Sequence, residues 1–425
     1  MAETGQIPNV PVTDRWSGSA VAPFSEPLFR GIWVAAVISY TGTWMQNVGS
    51  AWLMTTMTMS PLMVGLVQAA MSLPVFLVVL PAGVLADMVD RRRLLLVTQT
   101  WMMLVAAVLG LLTLLHLVTP WILILFTLLL GFGAVMNDPA WQAITPEIVS
   151  SQNYASAVAL NSAGFNVARA VGPALGGAIV AAAGSGSAFL LNAASFLGVI
   201  FVLHEWRRVP HENPFPATRF AEAMVVGIRY AHKSLAVRAV LLRTGVFSFS
   251  ASAVLALLPI IASPYGSVGY GLLLGCFGLG AIAGATILPA LRRRLSPDAQ
   301  VALATLAFAL VTFLLSTWHM FWLLAAALFA GGVAWIQILA TLNMAAQTCS
   351  PAWVRARSIS LYLLMLQGGM ASGSAAWGAI ANRFGIARAL EIAAAGLLLG
   401  IVIVRSYRLQ AGASVADIIS TQIKA

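Results

Sequence analysis

Apolar stretches follow one another along this chain, separated by short polar loops. Twelve of them reach the roughly 20 residues that a helix needs to cross a hydrocarbon core. They cover about residues 31–55, 61–86, 94–116, 120–143, 155–182, 187–206, 238–262, 269–291, 299–317, 320–346, 357–381 and 386–405. The alternating pattern of a membrane barrel is absent. In lipid every backbone group must pair within its own segment, so the pattern predicts an all-α membrane protein of twelve spans. Residues 1–27 hold Pro8, Pro11, Pro23 and Pro27 and read as a tail. They lack the charged start and short apolar core of a secretory leader. The one long polar stretch, residues 207–237, contains Pro210, Pro214 and Pro216 and then a helix-compatible run from Arg219 to Arg238. It separates six spans in residues 28–206 from six in residues 238–406, and residues 407–425 form a second tail.

Composition agrees. Of the 425 residues 60% are hydrophobic and 8% charged, against about 25% charged in soluble domains. A soluble globule, a disordered chain and a disulfide scaffold are excluded. Cys276 and Cys349 both fall in apolar segments and suggest neither a disulfide nor a metal site. The net charge of +10 would suit nucleic acid, but the placement of the charges does not. Twenty of the 23 Lys and Arg residues fall on one side of the predicted topology. They include Arg91, Arg92 and Arg93, the linker cations through Arg243, the triplet Arg292 to Arg294, and Arg355 and Arg357. Arg383 and Arg388 lie opposite, and Arg169 lies inside a span. Positive residues mark the cytoplasmic side, so both termini are expected there, with membrane lipid and not nucleic acid as the partner.

The halves repeat at an offset of 201 residues, as from Gly83 to Gly284. Arg91-Arg92-Arg93-Leu94 matches Arg292-Arg293-Arg294-Leu295, Gly131 matches Gly332, and Gly172 and Gly177 match Gly373 and Gly378. Six spans per repeat keep both halves in one orientation. This predicts two six-helix bundles about a pseudo-twofold axis along the membrane normal, with a site near the midplane between them.

The run from Gly83 through Asp87 to Arg91-Arg92-Arg93 resembles the loop 2–3 signature of the major facilitator superfamily. Asp138-Pro139-Ala140-Trp141 with Pro146-Glu147, Asn161-Ser162, and Arg169 with Gly172-Pro173 and Gly176-Gly177 are similar to the transmembrane secretion effector branch, which contains the enterobactin exporter. Ser350-Pro351-Ala352-Trp353 with Arg355 and Arg357 fits the same branch. The likeness runs from about Leu28 to Arg405. It implies a monomeric exporter in the cytoplasmic membrane of a bacterium, driven by proton exchange and needing no cofactor or metal. Its cargo would be a small organic molecule, siderophore-like or drug-like. The chain departs from the pattern at Asp90, where glycine is common, and at Ala168, where a further glycine is usual. Leu288 replaces the acid in the second half, and Thr127 stands where some proton-coupled relatives carry arginine.

Several residues offer chemistry. Gly83, Asp87, Arg91 and Arg92 suit a cytoplasmic gate, in which Asp87 accepts hydrogen bonds from a helix N-terminus or an arginine across the halves; plain topology anchors are the alternative for the arginines. Gly172, Pro173, Gly176 and Gly177 suit a kinked, closely packed span 5 of the exporter type. Arg169 lies about 21 Å along its span at 1.5 Å per residue. An arginine at that depth costs roughly 2.5–3.5 kcal/mol, so it should face the interior. It shares a helix face with Ser162, Asn166 and Pro173 and either binds an anionic substrate or caps carbonyls. Tyr40, Trp44, Gln46 and Asn47 in span 1 suit a planar aromatic ligand or ordinary packing. Asn137 in span 4, Gln337 and Asn343 in span 10, and Tyr362 and Gln367 in span 11 complete the cavity candidates. Asp138 is the first choice for the proton carrier, with a gate or cap role as the alternative. Glu391 near Arg388 reads as an ion pair.

No nucleotide-binding loop, metal-ligand cluster or nucleophile elbow occurs, so an enzyme is not expected. The readings are a secondary active exporter, a lipid or lysolipid flippase of the same fold, or a membrane receptor or scaffold that no longer transports.

Overall fold

The computed structural model describes residues 20–58, 60–206, 229–230 and 232–409. Most of the polar linker and of both tails lies outside these residues. The described chain is helical throughout: α1 Pro27–Thr58, α2 Pro61–Met88, α3 Arg91–Leu114, α4 Pro120–Ile148, α5 Tyr154–Glu205, α6 Leu235–Ile261, α7 Gly266–Arg294, α8 Pro297–Thr317, α9 Phe321–Thr348, α10 Ala352–Phe384 and α11 Ile386–Ile403. Local chemistry sets the starts. Asp90, Thr119, Ser234 and Ser296 each accept a hydrogen bond from the first turn of the helix that follows. Proline opens α2, α4 and α8, where its missing N–H costs nothing.

Among the described residues nine helices are long and apolar enough to cross a membrane. The 52-residue α5 counts once among them. It is broken at Gly184, whose φ of +80° lies in the left-handed region. Gly385, which separates α10 from α11, has φ +90°. The two glycines are 201 residues apart, so the repeat extends to the backbone turn itself. Helices α1 and α10 fall short of the apolar measure because Ser, Thr, Gly and amide residues interrupt them, and these residues turn inward.

Helices α1, α3, α4 and α5 pack mainly within α1 to α5, and α6 to α11 mainly with one another, while α2 packs most heavily against α10. Equivalent amides pair inside each group. Gln99 Nε2 donates to Asn137 Oδ1 at 3.1 Å between α3 and α4. Gln300, at the repeat offset, donates to Gln337 Oε1 at 2.7 Å between α8 and α9.

Two seams join the groups, α5 against α7 and α2 against α10. Both are made backbone to backbone. A β-carbon at Gly177 would collide with the Ser267 carbonyl, and one at Gly271 with the Pro173 carbonyl. One at Gly378 would lie 2.8 Å from the Pro61 carbonyl. Across the seams Ser267 Oγ donates to the Gly177 carbonyl at 3.1 Å, and Ser60 Oγ donates to Asn382 Oδ1 at 3.2 Å. Trp52 of α1 stacks on Tyr270 of α7 with ring centres 6.4 Å apart.

All these contacts lie toward one end of the molecule, the end opposite the arginine triplets. On α5 the seam face carries Gly177, Pro173 and Ala170, and it continues at helical spacing through Asn166, Ala163 and Ala159. Those last three are exposed. The groups therefore part below Arg169, and a cleft opens toward the basic end.

Because backbone at the seam cannot retreat as a flexible side chain does, Gly271→Leu should destabilise the protein by about 1–3 kcal/mol. Thermal unfolding in detergent checks this. Gly275→Ala, whose β-carbon would sit 3.3 Å from the Ala170 carbonyl, should change little. A Gly271→Leu protein as stable as its parent would show that the seam is not closed in this way.

Candidate functional site

The cleft leads to a cavity of about 270 Å³ set within the first group of helices. One face of α1 supplies Ser39, Tyr40, Thr43, Gln46, Asn47 and Ser50, which recur every three or four residues. Helix α3 adds Gln99, and α4 adds Thr127, Asn137 and Asp138. The two arms of α5 add Phe165 from one side and Asn192 and Phe196 from the other. Thr43, Phe165 and Asp138 are exposed to the cleft. Many polar side chains thus share this cavity with apolar ones such as Met71, Met102 and Leu130, and such a concentration of polar groups in a membrane interior marks a candidate functional site.

The amides form two buried pairs. Asn192 Nδ2 donates to Gln46 Oε1. Asn137 Oδ1 accepts from Gln99 Nε2 and from Thr98 Oγ1, each at 3.1 Å. Gly42 permits the first pair, because a β-carbon there would stand 2.6 Å from Asn192 Oδ1. Each pair leaves one polar atom over: Gln46 Nε2 is a donor and Gln99 Oε1 an acceptor, both buried and without a partner among the described residues. An unmet buried polar atom costs ~1–3 kcal/mol, so these two are ready for a ligand or water. Asp138 makes no hydrogen bond or ion pair among the described residues, and its carboxyl group faces the same space.

An aromatic wall flanks the cavity. Tyr40 meets Phe165 at 5.4 Å and Trp141 at 6.4 Å, both edge to face. Trp44 meets Phe165 at 6.5 Å, and the Arg169 guanidinium lies 5.9 Å over the Trp44 ring. Arg169 has no acidic partner and no hydrogen bond among the described residues, so its charge is held only by the π-face. The Gly172-Pro173-x-x-Gly176-Gly177 motif sits one turn further along α5. Gly172 and Gly176 admit Trp44 and Met45 of α1, while Pro173 and Gly177 face α7.

The structure therefore brings Tyr40, Gln46, Asn47, Asn137 and Asp138 to one cavity, with Trp44 beside its wall residue Phe165 and Arg169 over Trp44. Ser162 and Asn166 line the open cleft, where among the described residues each side chain bonds only to its own helix. The candidates of the second half lie elsewhere. Gln337 is buried between Gln300 and the Gly284 carbonyl, and Tyr362 is buried with its hydroxyl 3.3 Å from the Leu339 carbonyl. Asn343 accepts from Gln347 at 2.6 Å, and Gln367 is half-buried. Gly83 and Asp87 fall in the last turns of α2, and their side chains lie outside the described residues. Arg91 reaches Glu147 at 2.8 Å and the Ala143 carbonyl at 3.3 Å. Arg92 donates to the Leu203 and His204 carbonyls at 2.7 Å each. Both arginines thus bind within their own half. Arg243, read from sequence as a linker charge, is instead buried in α6 and paired with Asp298 at 2.6 Å.

Sequence reading missed Ser39, Thr43, Ser50, Gln99, Thr127, Phe165, Asn192 and Phe196. The α1 residues were discoverable, since Ser39, Thr43, Gln46 and Ser50 follow one helical stripe. Gln99 and Asn192 are lone amides in apolar spans and could also have been flagged.

Comparison with known proteins places the chain. The family model described as transmembrane secretion effector matches residues 18–425. A staphyloferrin A transporter of Staphylococcus aureus is 26% identical over 260 residues, covering 60% of this chain and 65% of that protein. An enterobactin exporter of Salmonella typhi is 28% identical over 270 residues, covering 61% of this chain and 63% of that protein. The match thus spans less than two thirds of either relative. In fold, the chain resembles the crystal structure of a bacterial homolog of the human lysosomal transporter Spinster in an inward-facing and occupied conformation. The TM-score is 0.73 at 12% identity, over 92% of this chain and 99% of that one. With its apolar helices, this chain is a multi-pass membrane protein, and it belongs to the transmembrane secretion effector family of the major facilitator superfamily.

Proposed function

We propose that the protein is a secondary active exporter of small organic molecules, coupled to proton entry and acting by alternating access. The observation that carries this reading is the α5 seam face, closed from Ala170 to Gly177 and exposed from Asn166 to Ala159. A polar cavity reached from one end only is what an alternating-access carrier presents in one of its states. The basic end is taken as cytoplasmic, which puts both termini inside and leaves the cavity open to cytoplasmic cargo.

The twelve-span plan belongs to the same reading. Counting α1, α10 and the two arms of α5 separately gives six spans in each half. The paired turns at Gly184 and Gly385 and the paired amides at Gln99 and Gln300 support two bundles about an axis along the membrane normal. Rocking the bundles against each other around the central cavity, about an axis in the membrane plane, would open one seam end while closing the other.

The cargo reading rests on the aromatic wall and the free amide atoms, which suit a planar, hydrogen-bonding molecule. The relatives' names, a staphyloferrin A transporter and an enterobactin exporter, support a small organic cargo. Asp138 would take a proton from outside and release it inward on each cycle. Voltage adds roughly 2.3 kcal/mol per charge per 100 mV to the work available. Asp87 with Gly83, Arg91 and Arg92 would close the cytoplasmic end when the cavity turns outward. The carrier would act as a monomer, with no cofactor.

Everted, energised membrane vesicles test the proposal. A catecholate siderophore, a hydroxamate siderophore, a macrolide and a lipophilic cation are added in turn while internal acidity is followed. One of them should collapse the pH gradient, and only with the intact protein. Asp138→Asn should abolish that response while still binding the compound; an unchanged response would remove Asp138 as carrier. If no soluble compound moves the gradient and labelled lysolipid crosses the bilayer instead, the exporter reading fails in favour of the flippase.

Arg169 has a separate test. If its charge meets an anionic cargo, Arg169→Gln should weaken cargo binding about tenfold or more, while Arg169→Lys keeps a substantial part. Binding to the purified protein, measured by calorimetry, checks this. Normal affinity in both variants would leave Arg169 a packing residue against Trp44.

A further inference from the structure

A further groove stands apart from the transport cavity. It lies in the second group of helices at the basic end, between α6, α8 and α11, and holds about 730 Å³. Its floor is apolar, built by Val246, Ala302, Leu397 and Ile401 among others. The surface around it is also apolar and exposed. Leu303 and Leu306 of α8 are 55% and 51% exposed, and Leu399 and Val402 of α11 are 58% and 67% exposed. In a membrane protein such a face meets lipid chains, so the groove opens sideways into the bilayer and not into water.

The rim differs from the floor. Arg405 and Arg408 stand at the groove's basic end, both exposed. Neither has a hydrogen bond or ion pair among the described residues. The acid that lines the same groove is already engaged: Asp298 holds Arg243 at 2.6 Å and accepts from the Leu409 backbone N–H at 3.1 Å. Arg243 in turn donates to the Tyr407 carbonyl at 2.8 Å. That network fixes the end of α11 and leaves the two arginines as the groove's uncompensated charge.

We propose that this groove is a binding site for one anionic phospholipid of the leaflet at the basic end. Its phosphate is held by Arg405 and Arg408, and an acyl chain lies along Val246, Ala302 and Ile401. The commitment to lipid follows from charge complementarity combined with an apolar floor that a free anion would not use. Juxtamembrane arginines attract anionic headgroups, and the fixed network behind them keeps their positions set. The site is separate from the transport cavity and does not depend on the exporter reading. A lipid wedged between α6, α8 and α11 would bind the second group as a unit and couple its position to membrane composition.

Native mass spectrometry of the full chain, released from detergent containing either phosphatidylglycerol or phosphatidylcholine, tests the site. The intact protein should retain one phosphatidylglycerol and little phosphatidylcholine. R405Q/R408Q should lower that retention by about thirtyfold, or about fivefold for each arginine. Ala302→Trp fills the floor without touching the charges, and it should displace the lipid as well. Equal retention of both lipids, or retention unchanged in either variant, would overturn the proposal. So would displacement of phosphatidylglycerol by inorganic phosphate at equal concentration, since the arginines alone would then be the site. Thermal unfolding gives a second reading: phosphatidylglycerol should raise the midpoint of the intact protein and not of R405Q/R408Q.

Discussion

Close approach of bare backbone is the constraint on which this molecule depends. Lipid chains are as apolar as leucine, so two bundles in a membrane gain nothing by hiding apolar surface from water. They hold together only where small residues let many atoms touch at short range. Gly177 and Gly271 on one seam, and Gly65 and Gly378 on the other, provide that approach. The contacts are weak enough singly to be broken and remade, and they are confined to one end. A rigid-body movement that trades one end's contacts for the other's follows naturally from such an arrangement.

The polar interior obeys a second constraint, that no hydrogen-bonding group stay unmet without reason. Most inward amides comply. Gln337 has both Gln300 and a carbonyl, and Arg92 has two carbonyls. Among the described residues Arg91 Nε, Thr341 Oγ1 and Ser374 Oγ are scattered exceptions, but the others gather. Gln46 Nε2, Gln99 Oε1, the Asp138 carboxyl and the Arg169 guanidinium all lie at or beside one cavity in the first half. The corresponding region of the second half is filled by Phe247, Phe308 and Trp335, packed edge to face or tilted. The two repeats share an architecture and have divided the chemistry between them: one keeps the polar cavity and the other a solid core.

Much of the fold was legible in the sequence, because membrane helices announce themselves by length and apolarity. The repeat was legible too, since Gly172 and Gly177 recur at Gly373 and Gly378, and the structure adds Gly184 with Gly385. Helix ends were less so: α4 runs on past residue 143 to Ile148 and α10 begins at Ala352, ahead of the expected residue 357. Arginine at a helix end looks like a loop residue until its partners are seen, as Arg243 shows. The candidate site was only partly legible. The stripe on α1 follows from helical period alone, but which second-half residues join it does not. Gln337 and Tyr362 carry the same polar signal as Gln46 and Tyr40. Only three-dimensional packing separates an amide that braces two helices from one that waits for a ligand.

Distances across both ends of the molecule test the central claim most directly. With Cys276 and Cys349 replaced by serine, spin labels at positions 151 and 347 span the basic end, and labels at positions 182 and 268 span the far end. On addition of a transported compound and a pH gradient, the first distance should shorten while the second lengthens, in the same population of molecules. If a protein shown to transport leaves both distances unchanged, the seams are permanent and alternating access about them is wrong.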